Sequence, residues 1–521
     1  MKAKKLTLRR VILAVIAGVA LWASFSPLSL WFLAIVGFAL FARILRNATL
    51  PASFFYGLCV GLGFFLPLFY WARIASSSVI AWVALALLES VFIALVGFVW
   101  QLLSRSSLWG RPWLFPFAAA VVWIACEQLR SLIPFGGMPW GLLGFGQVNS
   151  PLVHLAPLGS TQLVGGAVVT CGVFVGQGVF RRQRFFVRLY SAVAVCVLLF
   201  APLAIPLGTA PSTGTIRLAY AQGIVARPDE EVDGSRALLV TKNLATEVKN
   251  LEDKDFDVLV LPESTSDRDI RVDSASRKLI SDIEDSAGSH PILLGTQEYI
   301  DDYRFNDYVL VSDGEVQARY SKQHPAPFGE YLPWRSFLIP LIEQASQISV
   351  DMRAGDKPAV LDVPLSRGEG DGVSSVRVAV PICFEVGDST VLSQAIGEGA
   401  SLIVVPTNNA SFGDTAESRQ QFDMTRFRAV EYGRDAVQIS TVGVSGAIRS
   451  DGSVIEATEP WTAASSIVTL SLYENTTWAA RLYPLIVWGV FCAGGFIVLW
   501  ALVEYPYRRR LSADVKRKGQ A

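Results

Sequence analysis

Two hydrophobic patterns divide the chain of 521 residues. Before residue 212 and after residue 480, apolar residues continue almost unbroken for fifteen or more positions at a time, bounded by charged or turn residues. A transmembrane helix needs about 20 mostly apolar residues. Eight runs approach that length: 11–25, 30–45, 54–72, 79–103, 112–126, 158–180, 189–207 and 482–503. The first follows a basic leader (Lys2, Lys4, Lys5, Arg9, Arg10), which is also how a secretory signal peptide begins. Further runs follow at once, so the pattern predicts an uncleaved first helix. Between 212 and 480 the pattern changes to short β-branched runs alternating with stretches of helical period. Strands are predicted at 216–221, 257–261, 292–294, 308–311, 376–380, 402–405 and 436–442, and helices at 235–251, 274–286, 390–397 and 416–432. Such alternation predicts a layered α/β domain, large enough to bury a substantial core. The expected organisation is therefore seven transmembrane helices in 1–211, a folded domain in 212–480, and an eighth helix with a basic tail in 481–521.

Composition supports a membrane protein. Hydrophobic residues make up 52% and charged residues 17% of the chain, with a mean hydropathy of +0.40, whereas soluble proteins carry about 25% charged residues. This excludes a disordered chain and argues against an ordinary soluble enzyme. The formal net charge is zero, from 45 basic and 45 acidic residues, but the two patterns differ. Residues 210–480 hold 23 basic and 41 acidic side chains, and the remainder holds 22 and 4. Lys and Arg gather in cytoplasmic loops. With eight spans, nineteen fall on one side (the leader; Arg43 and Arg46; Arg105 and Arg111; Arg181, Arg182, Arg184 and Arg188; the tail) and three, Arg73, Arg130 and Arg481, on the other. That split predicts cytoplasmic termini and an extracytoplasmic 212–480 domain.

Cysteine usage gives the first chemical clue. Cys59, Cys126, Cys171, Cys196 and Cys492 fall in or at the ends of apolar runs, where a thiol is usually a small hydrophobe. Cys383 alone lies in the outer domain, so it has no disulfide partner there and is either an inert buried thiol or a reactive one. It follows a strand in Pro381-Ile382-Cys383-Phe384-Glu385. Two other strands run into Pro262-Glu263-Ser264 and Pro406-Thr407-Asn408-Asn409. Open α/β sheets place their sites beyond the carboxyl ends of strands, so the three suggest one shared sheet edge. A fourth segment, Tyr320-Ser321-Lys322-Gln323-His324, leads into Pro327-Phe328-Gly329-Glu330-Tyr331.

These segments resemble the Glu-Lys-Cys constellation of the nitrilase, or carbon-nitrogen hydrolase, superfamily. Together with the eight apolar runs and the segment from Glu127 through Arg130 to Gly137-Met138-Pro139-Trp140, the whole chain resembles the bacterial apolipoprotein N-acyltransferases. The stretches 408–414 and 424–434 are similar to that family too. The resemblance implies an α-β-β-α sandwich, catalytic Glu263, Lys322 and Cys383, supporting Glu330 and Glu385, and Phe384, Asn408, Ser411, Phe412 and Trp334 as substrate-binding candidates. The chain departs from the family where Ser411 replaces an aromatic residue, where Phe384 replaces Tyr, and where no Trp follows Gln222-Gly223. The implied donor is a membrane phospholipid. The implied acceptor is the α-amine of the diacylglyceryl-cysteine that begins a lipoprotein, in the last step of lipoprotein maturation. A monomer working in the bilayer without cofactor or nucleic acid is expected.

The residues permit that chemistry. A thiol of pKa about 8.5 needs a base or a cation to become nucleophilic. Glu263 can take the proton of Cys383 as its sulfur attacks an ester carbonyl, and Lys322 can stabilise the oxyanion, a contribution of about 3 to 4 kcal/mol per donor. An amine then resolves the thioester if water is kept out. The apolar stretch 331–342 is either core or a lipid-facing arm. Glu89, inside the fourth run, is a costly and often functional intramembrane carboxyl. A membrane-anchored amidase would share the three residues but hydrolyse the thioester. A transporter would carry more intramembrane charge, and a cysteine-histidine hydrolase would use His324. The histidines His154, His290 and His324 show no metal-ligand spacing, and no phosphate-binding glycine loop stands out.

Overall fold

The computed structural model describes residues 6–180, 185–225, 238–288, 290–339, 348–365 and 375–518. Two compact units emerge. One takes the chain as far as Tyr70, then Val79–Ile205 and the part from Pro484 onward; the other combines Trp71–Ser78 with Pro206–Tyr483.

The first unit is helical, built from α1 (Leu8–Trp22), α2 (Phe32–Leu45), α3 (Leu50–Leu68), the edge of α4 (Tyr70–Ala75), α5 (Val79–Leu103), α6 (Phe115–Arg130), α7 (Ala156–Phe180) and α8 (Phe185–Phe200). Among the described residues, five helical stretches are long and apolar enough to cross a membrane: Leu50–Leu68, Val79–Leu103, Pro151–Gly178, Phe185–Ala204 and Trp478–Pro506. Phe32–Leu45 is apolar but shorter. On α5 the exposed side chains Ile80, Val83, Leu87, Val91 and Leu95 recur every three or four residues. That apolar face suits lipid and would be unfavourable in water. Small residues bring the helices together. A Cβ on Gly18 would meet the Val60 carbonyl at 2.1 Å, and one on Gly57 the Ile93 carbonyl at 2.5 Å. The buried Glu89 finds its partner in Arg130, whose Nη1 lies 3.2 Å from Oε2 and also donates to the carbonyls of Met138 (2.8 Å) and Trp140 (2.9 Å). Desolvated charges persist only when paired and hydrogen-bonded, so this carboxyl has a structural explanation: it fixes the loop after α6.

The second unit holds two sheets. The first has the order β13-β1-β2-β3-β4-β5, from β1 (Gly214–Gln222), β2 (Val258–Val260), β3 (Ile292–Ile300), β4 (Tyr303–Ser312), β5 (Glu315–Ser321) and β13 (Ala464–Leu472), with β6 (Asp351–Met352) pairing β4. The second has the order β12-β11-β10-β9-β8-β7, from β7 (Val360–Pro364), β8 (Ser375–Ala379), β9 (Leu402–Thr407), β10 (Ala436–Ser440), β11 (Gly446–Ile448) and β12 (Val454–Ala457). Ile216, Leu218, Val258 and Leu470 of the first sheet pack in one core with Val378, Leu402, Val404 and Ile439 of the second. Leu244 and Val248 of α9 (Leu239–Val248) and Ile280 and Ile283 of α10 (Ser274–Ser286) cover the outer face of the first sheet. The short α11 (Arg335–Leu338) lies in the loop after β5. The helices α12 (Ser389–Gly397) and α13 (Glu417–Tyr432) contact β8 and β10 of the second sheet. The result is the expected α-β-β-α sandwich. Its chain leaves through α14 (Trp478–Lys518).

One expectation needs correcting. The strands leading to Glu263, Cys383 and Asn408 do not share one sheet edge: β2 belongs to the first sheet, while β8 and β9 belong to the second. Stacked sheets lie about 10 Å apart, so side chains from the ends of both reach a common space. The predicted helix at 235–251 is observed from Leu239 to Val248; residues 226–237 lie outside the described part.

Candidate active site

Proline ends the strands where chemistry begins. Pro262 and Pro381 have no N–H to continue a ladder, and each is followed by a candidate residue. Cys383 sits at the turn out of β8 with φ +53°, a left-handed conformation that a side chain rarely adopts and that clusters at functional sites. The turn is over-determined. Arg428 of α13 donates from Nε to Val386 O (2.8 Å) and from Nη2 to Gly387 O (2.8 Å), and pairs with Glu431. Glu385 accepts from Ile382 N (2.8 Å) within the turn, from Tyr320 OH (2.9 Å) of β5, and from Gln323 N (2.7 Å) and His324 N (3.0 Å) of the segment after it. This buried carboxyl therefore stitches the cysteine turn to the lysine segment.

Glu263, Lys322 and Cys383 come together, all buried. Lys322 Nζ is 3.5 Å from Glu263 Oε1 and 2.7 Å from Glu330 Oε1. Asn306 of β4 donates to Glu263 Oε1 at 2.7 Å, and the Glu263 carboxylate lies within electrostatic reach of the Cys383 thiol. Glu330 is held in turn by Ala326 N (2.6 Å). Burial pushes the Cys383 thiol well above its ordinary value; neighbouring Glu263 adds to this and Lys322 opposes it. Burial also raises Glu263, with Lys322 pulling it back. Burial disfavours the Lys322 ammonium, but Glu330 and Glu263 more than offset that and hold it charged. The site thus places a thiol that burial keeps protonated beside the Glu263 carboxyl and a fixed cation.

The sequence reading missed a second layer. Gln421 of α13 directs Nε2 at Cys383 Sγ, 3.5 Å away. Its Oε1 accepts from Asn409 Nδ2 (2.8 Å), which also donates to Glu417 Oε2 (2.8 Å). Asn409 Oδ1 accepts from Ser440 Oγ (2.5 Å), whose oxygen accepts from Gly443 N (2.8 Å). These directions leave the Gln421 amide one orientation, with N–H toward sulfur. Burial lifts the Glu417 carboxyl to about 8. One signal could have revealed this layer: polar residues 417, 421, 425 and 428 recur at helical spacing on a helix whose polar face is buried.

The other candidates lie around this cluster. The Asn408 side chain bridges Ser264 Oγ (3.0 Å) and Thr441 Oγ1 (2.8 Å). Phe384 is half-buried and Ser411 exposed. Phe412 meets the Trp71 ring edge-on at 5.3 Å, so an aromatic from α4 stands near the position where Ser411 departs from the family pattern. Trp334 and Phe328 are 68% and 55% exposed, while Leu332 is buried. The stretch 331–342 is thus neither wholly core nor wholly an arm, and its last three residues lie outside the described part.

Residues 196–480 match the carbon-nitrogen hydrolase family, and residues 17–174 match the apolipoprotein N-acyltransferase N-terminal domain. The sandwich with its Cys turn thus defines a carbon-nitrogen hydrolase joined to an apolar helical unit. The chain is 32% identical to an apolipoprotein N-acyltransferase of Mycolicibacterium smegmatis, across 97% of this chain and 88% of that one. It is 28% identical to one of Azotobacter vinelandii, across 95% of each. Among solved structures it is similar to an amidase from Nesterenkonia sp., with 16% identity and a TM-score of 0.35 over 53% of this chain and 98% of that one. The chain belongs to the apolipoprotein N-acyltransferase family.

Proposed function

We propose that the protein N-acylates lipoproteins through a Cys383 thioester in a ping-pong cycle. The observation that carries this reading is the burial of Cys383 together with Glu263, whose Oε1 lies 3.5 Å from the Lys322 ammonium. Glu263 accepts the thiol proton as sulfur attacks the ester carbonyl of a phospholipid. The negative charge that develops on the carbonyl oxygen is met by Lys322, which Glu330 holds in place. Gln421 N–H faces the sulfur and lowers the cost of its negative charge. Glu263 returns the proton to the departing lysophospholipid alcohol. The α-amine of a diacylglyceryl-cysteine then attacks the thioester, loses its proton to Glu263, and leaves as the amide with the thiol restored.

A thioester rather than a hydrolysed product requires that water stay out while lipid enters. The exposed Phe328 and Trp334 beside the lysine segment suit such an apolar approach. The domain bounds in this reading are 1–211, 212–480 and 481–521, with eight spans, cytoplasmic termini and a catalytic domain on the outer face of the cytoplasmic membrane. The enzyme acts as a monomer. Intact mass spectrometry of the purified protein incubated with phospholipid tests the scheme. The expected result is one hydroxylamine-labile acyl adduct, absent from Cys383→Ser and scarce in Lys322→Ala; turnover with an acyl-free Cys383 throughout would overturn it.

A further inference from the structure

We propose that the helical unit carries a second binding site, separate from the thiol, for an anionic glycerophosphate headgroup: a phosphate ester that also bears a hydroxyl. A cavity of about 360 Å³ opens among the ends of α2, α5, α6 and α7, and Arg43, Arg46 and Arg105 line it together with Gln101 and Gln177. No acidic side chain is among the described residues lining it. Glu504, a little further off, is engaged by Ser106 Oγ (2.5 Å) and Ser107 N (2.7 Å).

Helix ends alone would not make the cavity positive. The C-terminal ends of α2, α5 and α7 each contribute roughly −0.5 elementary charge, and the N-terminal end of α6 roughly +0.5. Three guanidiniums outweigh that sum even with Glu504 counted, so the described lining is net positive. Arg105 is built into the wall: Nη2 donates to Ala48 O (2.9 Å) and Nη1 to Tyr505 OH (3.1 Å). Arg46 is tied in through its carbonyl, which accepts from Arg10 Nη2 (3.1 Å).

A positive cavity at the end of apolar helices fits a phosphate. Gln177 narrows the choice. Its side chain is 6% exposed, and its Oε1 has no hydrogen-bond partner among the described residues. A buried carbonyl oxygen calls for a donor, which a bare phosphate diester lacks and a glycerol headgroup supplies through its hydroxyls. Phosphatidylglycerol and free glycerol phosphate share this chemistry.

Native mass spectrometry of the delipidated full-length chain tests the site, with Cys383→Ser as the background so that acyl transfer plays no part. The probes are dioleoyl phosphatidylglycerol, phosphatidylmethanol (same charge, no hydroxyl), phosphatidylcholine (no net charge) and glycerol 3-phosphate. One phosphatidylglycerol should be retained, and Arg43→Gln/Arg46→Gln should weaken it roughly thirtyfold. Gln177→Leu, which leaves the arginines intact, should erase a roughly fivefold preference for phosphatidylglycerol over phosphatidylmethanol. Displacement of the lipid by millimolar glycerol 3-phosphate would assign the site to the free ester; its failure to displace would assign it to membrane lipid. The proposal is overturned if both variants bind like the parent, or if phosphatidylcholine binds as tightly as phosphatidylglycerol.

Discussion

At the scale of single residues, Glu417 shows how the site holds charge. It is buried, receives one proton donor from Asn409, and lies close enough to Glu263 to be repelled by it. Its carboxyl titrates at about 8, against about 4.3 in an unfolded chain. Between those values the native state holds a proton that the unfolded state has lost. The stability Glu417 contributes is therefore complete below the unfolded value and is lost as pH rises toward 8. A glutamine is neutral at every pH and still offers Asn409 a carbonyl. Glu417→Gln should thus behave like the parent near pH 4 and become more stable than it by pH 8, on the order of a few kcal/mol. Melting midpoints of the purified protein at the two pH values would show this, and a gap that does not widen with pH would contradict the neutral carboxyl. Glu263 and Cys383 stood out in the sequence because each comes just after an expected strand and a proline, and Lys322 because its segment resembles the family's. Glu417, Asn409, Gln421 and Asn306 were not. Their positions depend on hydrogen bonds between separate elements, and no local pattern encodes which buried amide faces a sulfur 38 residues away.

At the scale of elements, the site depends on how closely β3 passes the loop after β2. Gly295 donates its N–H to Pro262 O at 3.1 Å, and a Cβ there would lie 1.4 Å from the Glu263 carbonyl. Gly295→Ala must move the Glu263 loop away from Lys322 and Cys383. A displacement near 1 Å can cost about a hundredfold in rate, so acyl-adduct formation should fall by about that factor. Gly397→Ala, at the open end of α12, meets nothing within 4 Å and should stay within about twofold. Equal rates for the two variants, read by single-turnover mass spectrometry, would count against the close approach. The elements differed in legibility for physical reasons. The helix over 274–286 was readable because Asp273 caps it through Ser276 N and Ile280 and Ile283 recur at helical spacing. In the β3–β4 hairpin only the fully buried residues stood out. Its outer half, from Gln297 to Ile300 and Tyr303 to Asn306, is largely polar and is held by cross-strand pairing. The strand β13 escaped notice because its first half is half-buried and its partner β1 lies some 250 residues earlier.

At the scale of the whole molecule, the zero net charge conceals a separation. Residues 210–480 carry 23 basic and 41 acidic side chains, and the remainder 22 and 4. With the cell interior negative, each elementary charge moved across the membrane is worth roughly 2.3 kcal/mol per 100 mV. Nineteen basic residues against three on alternate loops, together with an acidic domain, all favour the same orientation. Inverting the chain would place both distributions on their unfavourable sides, at a cost of tens of kcal/mol on that scale. The proposed orientation can be tested with two single substitutions made where Cys196 and Cys492, the exposed native thiols, are serine. Val272 is 78% exposed on the second unit, and Ser107 is exposed in the loop between α5 and α6. A membrane-impermeant maleimide applied to spheroplasts should label Val272→Cys at once and Ser107→Cys only after the membrane is opened. The reverse order would place the thiol in the cytoplasm. Labelling of both residues before lysis would mean that an even number of spans, not the three the charge count requires, separates Ser107 from Val272, and the eight-span arrangement would have to be abandoned.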